Sequence, residues 1–470
     1  MKLWFAVLAS GQRQCETEFG HTTPREWIGA MVQAREHWSS KMGFILAAAG
    51  SAVGLGNIWR FPYVTGENGG GAFLLIYLAI VFTIGLSLLV AELLIGRSTQ
   101  RDAARAFKES AGGAWPLVGY MGILTAFLIL SFYIVIAGWT VAYTVKSLTG
   151  TILASGTEEV GAVFTGFISD PIEPVIYTAI FLALTVFVVL GGVASGIERA
   201  ARYLIPILFI ILLVLAARSV TLDGAGEGLS FFLKPDFSKV GWDTFLAALG
   251  QAFFSLSLGM GAMITYGSYM RRDDAIVGSA ASVATLDALV AVLAGFVVLP
   301  AVFAFGAEPS AGPGLTFITL PSIFAQMPFG AFFSALFFFL LAIAALTSAV
   351  ALFEVVVSYF SAGDPARRKP VTLWVSLASF VLAIPTSLSM GVWSGYTIGG
   401  KPLLDALDFF TNNITMPLGG LLIAIFAGWV LRRQVVQELG ASGTLVGAWQ
   451  FVIRFVAPVA IAVILIAGLI

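Results

Sequence analysis

Apolar residues fill long stretches of this chain, and polar residues gather in the short pieces between them. The apolar segments fall at 42–64, 71–96, 116–148, 174–191, 200–219, 242–268, 276–305, 331–360, 371–388, 403–431 and 446–470. Each is long enough to cross a bilayer as a helix, so the pattern predicts an all-α membrane protein with eleven transmembrane helices. A shorter apolar piece, 315–326, lies between Pro313 and Pro328 and reads as an extracellular helix.

Two of the spans are interrupted. In the first, Gly50, Gly54 and Gly56 weaken the helix at mid-membrane depth, polar Ser51 and Asn57 flank the break, and Arg60 follows one turn later. Hydrocarbon offers no partner to a loose N–H or C=O, so broken backbone at that depth is tolerated only where it lines a cavity. In the sixth span, Gln251-Ala-Phe-Phe-Ser-Leu-Ser-Leu-Gly-Met-Gly261 places two glycines and two serines at the matching depth. Span six opens a second set of five, as span one opens the first. Paired interruptions in two odd-numbered sets are the mark of a 5+5 inverted repeat with discontinuous helices 1 and 6. The corresponding divisions are a tail at 1–34, a first repeat at 35–222, a second at 223–432 and helix 11 at 433–470.

Composition agrees with the pattern. The chain has 470 residues, of which 59% are hydrophobic and 11% charged, and a mean hydropathy of +0.95, which places it among multi-pass membrane proteins. A net charge of −1 without a basic block argues against nucleic acid as a partner. Cys15 is the single cysteine, which excludes an internal disulfide, and His21 and His37 are too few for a histidine metal centre or triad. Residues 1–30 read as an over-extended start or a disordered tail, leaving Met1 and Met31 as alternative first residues.

Charge sets an orientation. Arg97, Arg101, Arg105 and Lys108 follow span two; Arg199 and Arg202 precede span five; Arg271 and Arg272 follow span six. Arg367, Arg368 and Lys369 follow span eight, and Arg432 and Arg433 follow span ten, whereas the alternate connections are acidic or neutral. The positive-inside rule then places the N-terminus in the cytoplasm and the C-terminus outside the plasma (inner) membrane.

Arg35-Glu-His-Trp-Ser-Ser, Ala-Val-Gly-Leu-Gly-Asn57, Trp-Arg-Phe-Pro62, Glu-Asn-Gly-Gly-Gly71 and Ser-Leu-Ser-Leu-Gly259 keep an order and spacing that resembles the neurotransmitter:sodium symporter family. The likeness runs from about Arg35 to the end, and is to the prokaryotic eleven-span hydrophobic amino-acid transporters of the leucine-transporter type. It implies symport: sodium moving down its gradient carries a hydrophobic L-amino acid inward by alternating access. The alternative is a membrane amino-acid sensor on the same fold. No glycine-lysine phosphate loop powers a pump, and no nucleophile, base and orienting group suggest an enzyme.

The same resemblance assigns site residues. A substrate carboxylate would meet the N–H groups of Leu55 and Gly56 and the Tyr133 hydroxyl. The ammonium would meet carbonyls of Ala52, Phe254 and Ser255, with Ser257 nearby. Gly54 stands where monoamine transporters of the family carry aspartate, so the substrate should bring its own carboxylate. Ile129, Phe254, Met260, Ser348 and Leu352 form the side-chain pocket, which carries no charge. Two sodium sites are implied. One draws on Ala52, Asn57, Ser255 and Asp287 together with the substrate carboxylate; the other on Gly50, Val53, Ala344, Thr347 and Ser348.

Asp287 departs from the leucine-transporter pattern, which has asparagine there and a glutamate at the position of Ala291; animal members place chloride in this neighbourhood, beside the counterparts of Tyr77, Gln251 and Ser255. A fixed carboxylate at Asp287 implies chloride-independent transport. Arg60 and Asp408 would form the outer gate, with Asp405 and Gln251 close by and Phe254 as the lid beneath. Arg35, Trp38, Ser268 and Tyr269 match the inner gate, whose acidic partner is open, since Ala362 occupies its place and Asp364 lies two residues on. Glu92 is read as accepting hydrogen bonds from the unwound part of span six, and Glu354 has no assigned role.

Overall fold

The structure is a computed structural model that describes residues 36–152, 157–309, 312, 314–431, 435, 438, 439 and 443–469. The tail at 1–34 and the inner-gate candidate Arg35 lie outside these residues. Among the described residues nine helices are long and apolar enough to cross a membrane, and one bent pair brings the number to ten. The bent pair is the first expected span: α1 (Lys41–Ala52) and α2 (Gly56–Glu67) meet at 51°. The continuous spans that follow in the first half are α3 (Gly71–Thr99), α5 (Pro116–Leu148), α7 (Glu173–Leu190) and α8 (Val193–Val220), with short α4 (Ala103–Ser110) and α6 (Thr157–Ser169) between them.

Short α9 (Ala225–Leu233) leads to the sixth expected span, which is divided. It consists of α10 (Trp242–Ser255) and α11 (Ala262–Gly267), and the second piece is too short to count as a crossing by itself. The expected eleven is reached only when each broken rod counts as one crossing. The second half continues with α12 (Ile276–Ala304), short α13 (Leu320–Gln326), α14 (Gly330–Ser361), α15 (Pro365–Leu388), α16 (Leu403–Val430) and α17 (Val446–Ala467). A two-residue turn at Gly399 and Gly400, both at positive φ, joins strands β1 (Thr397–Ile398) and β2 (Lys401–Pro402) ahead of α16.

Two span boundaries depart from the hydropathy reading. Span five begins at Val193, not near 200, and span nine at Pro365, not near 371. In both cases charged residues sit inside the first turns, where hydropathy takes them for a loop. Glu198 is buried because the Ser39 N–H (2.7 Å), the hydroxyls of Ser39 and Ser40, and Arg202 (2.8 Å) all reach its carboxylate. That bond set fastens the start of α1 to α8. Asp364 caps α15 by accepting from the Ala366 N–H at 2.9 Å.

The core places α5 and α14 side by side along their length, with α1 and α11 against α14. Close backbone contact holds the divided sixth span in place. Gly259, at φ +81°, lies so near α16 that a Cβ would run into the Met416 carbonyl. Glu92 of α3 is fully buried, and its Oε1 accepts from the Gly259 N–H at 2.7 Å. The unwound strand between α10 and α11 is thereby satisfied by a side chain from another rod. Ser257 is held at φ +54°, a left-handed conformation unusual for a non-glycine residue.

Gly259→Ala should destabilise the folded chain by about 1–3 kcal/mol, because both φ and the α16 backbone oppose a methyl group. Thermal loss of monodisperse protein in detergent measures this, with Gly278→Ala, where a Cβ meets open space, as the control expected to change little.

Candidate functional site

The two breaks face each other. α1 ends at Ala52 and α2 begins at Gly56, so the last carbonyls of one and the first N–H groups of the other lack the partners a continuous helix would give them, while α10 ends at Ser255 and α11 begins at Ala262. Half-helix ends carry partial charge of opposite sign, so a zwitterion finds donors on one side and acceptors on the other. A cavity of about 30 Å³ lies between them. Its walls come from both breaks, from Ile129 and Tyr133 of α5, and from Ser348 and Leu352 of α14. Of the residues expected around a substrate, Ala52, Gly54, Leu55, Gly56, Phe254, Ser257 and Met260 also line it, whereas Ser255 sits just behind.

Space is tight around the glycines. A Cβ on Gly54 would stand 2.5 Å from Ser348 Oγ and 3.0 Å from Tyr133 Oη, and one on Gly56 would meet the Phe254 ring at 2.7 Å. Close approach therefore explains both glycines without any appeal to substrate type. The Tyr133 hydroxyl accepts from the Leu55 N–H at 3.3 Å, which fixes its oxygen against the break.

Behind the first break Asn57, Ser255, Asp287 and Tyr77 form one buried polar knot. Asn57 Nδ2 donates to Ser255 Oγ (2.9 Å), Asp287 Oδ1 (2.8 Å) and the Asp287 carbonyl (3.1 Å). Ser255 Oγ lies 2.8 Å from both carboxylate oxygens, and the Tyr77 hydroxyl is 3.2 Å from Ser255 and 3.4 Å from Asp287. Asn57 Oδ1 accepts from the Gly54 N–H at 3.2 Å, so the knot also holds the break.

A second oxygen cluster lies between α1 and α14. Ser348 Oγ is 3.4 Å from the Gly50 carbonyl and 3.3 Å from that of Val53, and Thr347 Oγ1 is 3.0 Å from the Ala344 carbonyl. Ser348 thus meets the carbonyls of Gly50 and Val53 across the two rods, while the Thr347–Ala344 bond stays within one turn of α14. Among the described residues no group of three His, Cys, Asp or Glu could hold a metal, so an ion here would be held by carbonyls and hydroxyls, the ligands a hard cation takes.

Ser51, read from the sequence as flanking the break, was not among the expected contact residues. Its carbonyl accepts from Ser257 Oγ at 3.0 Å and from Ser348 Oγ at 3.1 Å, and it lines the cavity. Its signal was a lone serine beside the glycine break. Gln251 Nε2 donates to the Gly56 carbonyl at 2.7 Å, tying α10 to α2 above the site.

Towards the outer end, the Arg60 guanidinium lies 5.2 Å over the Phe254 ring. Arg60 and Asp408 do not form the ion pair expected of them: Asp408 Oδ1 accepts from Asn412 Nδ2 at 2.7 Å, while Arg60 stacks on the lid. Beside Arg60 opens a cavity of about 200 Å³ walled by α10, α16 and α17.

At the inner end Trp38 is buried, with Nε1 donating to the Tyr266 carbonyl at 3.0 Å and its ring edge-on to Tyr266 and Tyr269. Tyr269 in turn donates to Glu354 Oε1 at 2.6 Å. Glu354, left without a role by the sequence, takes a two-pronged bond from Arg368, at 2.9 and 2.7 Å, and Arg368 also donates to the Val189 carbonyl at 3.1 Å. Glu354 is thus a buried acid that Tyr269 and Arg368 engage at this end. Asp364 is a helix cap paired with Arg367 at 3.3 Å.

A model described as the sodium:neurotransmitter symporter family matches residues 35–158 and 168–470. An uncharacterized sodium-dependent transporter of Bacillus subtilis (strain 168), YhdH, is 42% identical over 433 residues, covering 91% of this chain and 96% of that protein. An uncharacterized sodium-dependent transporter of Haemophilus influenzae is 37% identical over 449 residues, covering 93% and 98% respectively. The crystal structure of MhsT in complex with L-phenylalanine is 46% identical, with a TM-score of 0.85 over 93% of this chain and 100% of that one.

Leaving one member of a buried ion pair unpartnered costs about 3–5 kcal/mol, whereas removing both costs far less. Glu354→Leu or Arg368→Met alone should therefore lower thermal stability sharply, and the double variant should recover most of the loss. A double-mutant melting cycle checks this.

Proposed function

The chain belongs to the sodium:neurotransmitter symporter family, and from that premise we propose that it imports hydrophobic amino acids, aliphatic and aromatic, in symport with sodium. The observation that carries this reading is the cavity between the two breaks: backbone donors and acceptors at its mouth and apolar walls without a charge. A substrate with an acidic or basic side chain would bury an unpaired charge there, at a cost of several kcal/mol. The MhsT structure holds L-phenylalanine, which fits the same substrate class. Met260 lines the cavity and, being flexible and polarizable, suits side chains of different shape.

Leu55 and Gly56 N–H and the Tyr133 hydroxyl would hold the carboxylate, and the carbonyls of Ala52, Phe254 and Ser255 the ammonium. Two sodium ions would travel as co-substrates. The Asn57, Ser255 and Asp287 knot adjoins the carboxylate end, so an ion held there and the substrate would share an oxygen, which makes each bind more tightly with the other. The Gly50, Val53, Ala344, Thr347 and Ser348 cluster joins α1 to α14, so an ion there would lock the inner half of the broken rod against the scaffold. Phe254 with Arg60 closes the outer path, and Trp38, Tyr269 and Glu354 close the inner one. Cytoplasmic placement of the arginine-rich connections fits the positive-inside rule.

Asp287 supports chloride independence. Its carboxylate lies within the Tyr77, Asn57 and Ser255 hydroxyl and amide groups, which leaves the knot with its own negative charge and no need of a mobile anion.

Proteoliposomes carrying the full chain should accumulate labelled L-phenylalanine when an inward sodium gradient is applied, and should show saturable counterflow. Leucine should compete and glutamate and lysine should not. Absent counterflow would instead indicate a sensor. Uptake should be indifferent to chloride, and Asp287→Asn combined with Ala291→Ser should make it chloride-dependent; anion-insensitive uptake by that variant would contradict the role given to Asp287.

A further inference from the structure

Away from the transport path, a concave groove of about 670 Å³ opens on the outer surface between α5, α14 and α15. Its walls are almost wholly apolar and rich in rings: Tyr120 and Phe127 from α5, Tyr359 and Phe360 from α14, and Trp374 from α15. Trp374 is 70% exposed and Phe360 57% exposed, so no other described residue covers this surface. Tyr359 meets Tyr120 and Phe360 edge-on, at 5.8 and 4.9 Å between centroids, which sets the rings as a fixed wall.

The groove has a charged end. Arg105 of α4 lies 5.3 Å over the Tyr359 ring and donates to the Tyr359 carbonyl at 2.9 Å. One of its nitrogens is taken by buried Asp102 at 2.6 Å, yet 40% of the side chain is still exposed. Lys108 follows Arg105 by three residues and lies on the neighbouring part of the same helix face. On α15, Val371 and Trp374 line the groove, and Arg367 precedes Val371 by four residues, hence one turn towards the same end on the same face. Arg367 is 69% exposed and, among the described residues, pairs with partly exposed Asp364, at 3.3 Å. Such a pair gives way readily to a competing anion. Tyr120 is only four residues from the start of α5, so the apolar wall begins where these cations end.

We propose that this groove binds one anionic phospholipid, with an acyl chain along the aromatic wall and the phosphate between Arg105 and Arg367. The chemistry is that of an apolar tail and a negative head in fixed order along one axis, which a wall of rings capped by arginines complements. An uncharged sterol would leave the arginines unused, and a free phosphate would leave the wall exposed.

The test uses the purified full chain and native mass spectrometry after exchange into detergent containing equal phosphatidylglycerol and phosphatidylcholine of matched acyl chains. The wild type should retain one phosphatidylglycerol in preference to phosphatidylcholine. Arg367→Gln should reduce that preference about fivefold, the weight of one basic residue at a membrane surface, and Trp374→Ala should reduce retention of both lipids. Arg271→Gln, an exposed arginine far along the chain from the groove, should leave the preference intact. Equal retention of the two lipids by the wild type, an unchanged preference in Arg367→Gln, or an equal loss in Arg271→Gln would each overturn the proposal. So would displacement of the retained lipid by a neutral sterol with no effect of Arg367→Gln. Arg367→Gln alters only an exposed side chain and is not expected to perturb folding, so its result stands even if Trp374→Ala proves unstable.

Discussion

Every loose backbone group inside a bilayer must find a partner within the protein. The architecture of this chain follows from meeting that demand twice, at mid-depth, in two rods. Side chains from elsewhere supply the partners: Tyr133 for the Leu55 N–H, Asn57 for the Gly54 N–H, Gln251 for the Gly56 carbonyl, Glu92 for the Gly259 N–H and Ser348 for the end of α1. What is left over faces the cavity. The site is thus the remainder of a hydrogen-bond requirement already nearly met, which is why so few polar side chains surround it.

The arrangement also ties selectivity to stability. Gly54 and Gly56 cannot be enlarged without striking Ser348, Tyr133 or Phe254, and those are the residues that give the cavity its walls. A change meant to widen the pocket would therefore disturb the oxygen clusters behind it. Asp287 shows the same coupling in another form, because the carboxylate that supplies charge to the knot also fixes Asn57, and Asn57 fixes the break.

Much of this was legible in the chain and some was not. Glycines at mid-depth, with Ser51 and Asn57 beside the first break and Ser255 and Ser257 in the second, violate the rule for a plain spanning helix, and that violation pointed to a site, whereas Thr347 and Ser348 came from the family likeness. The family likeness then supplied roles that pattern alone could not. Glu354 was unreadable because its partner, Arg368, lies on the next helix and becomes a neighbour only when α14 and α15 fold back as a hairpin. Glu198 was hidden for a related reason: a charge in the first turns of a span looks like the end of that span. The position of Arg60 depends on a side-chain choice between an acid and a ring, which spacing does not record.

Gln251 joins the outer halves of both broken rods across the pseudo-twofold, whereas Glu198 fastens the inner half of the first rod to α8. Each half-rod thus has its own mooring, on opposite sides of the break. Strain applied at the start of α1 would load the Glu198 anchorage while leaving the Gln251 tether slack. The break at residues 53–55 therefore gives the two ends of one helix different neighbours, a division of anchorage that an unbroken rod could never have.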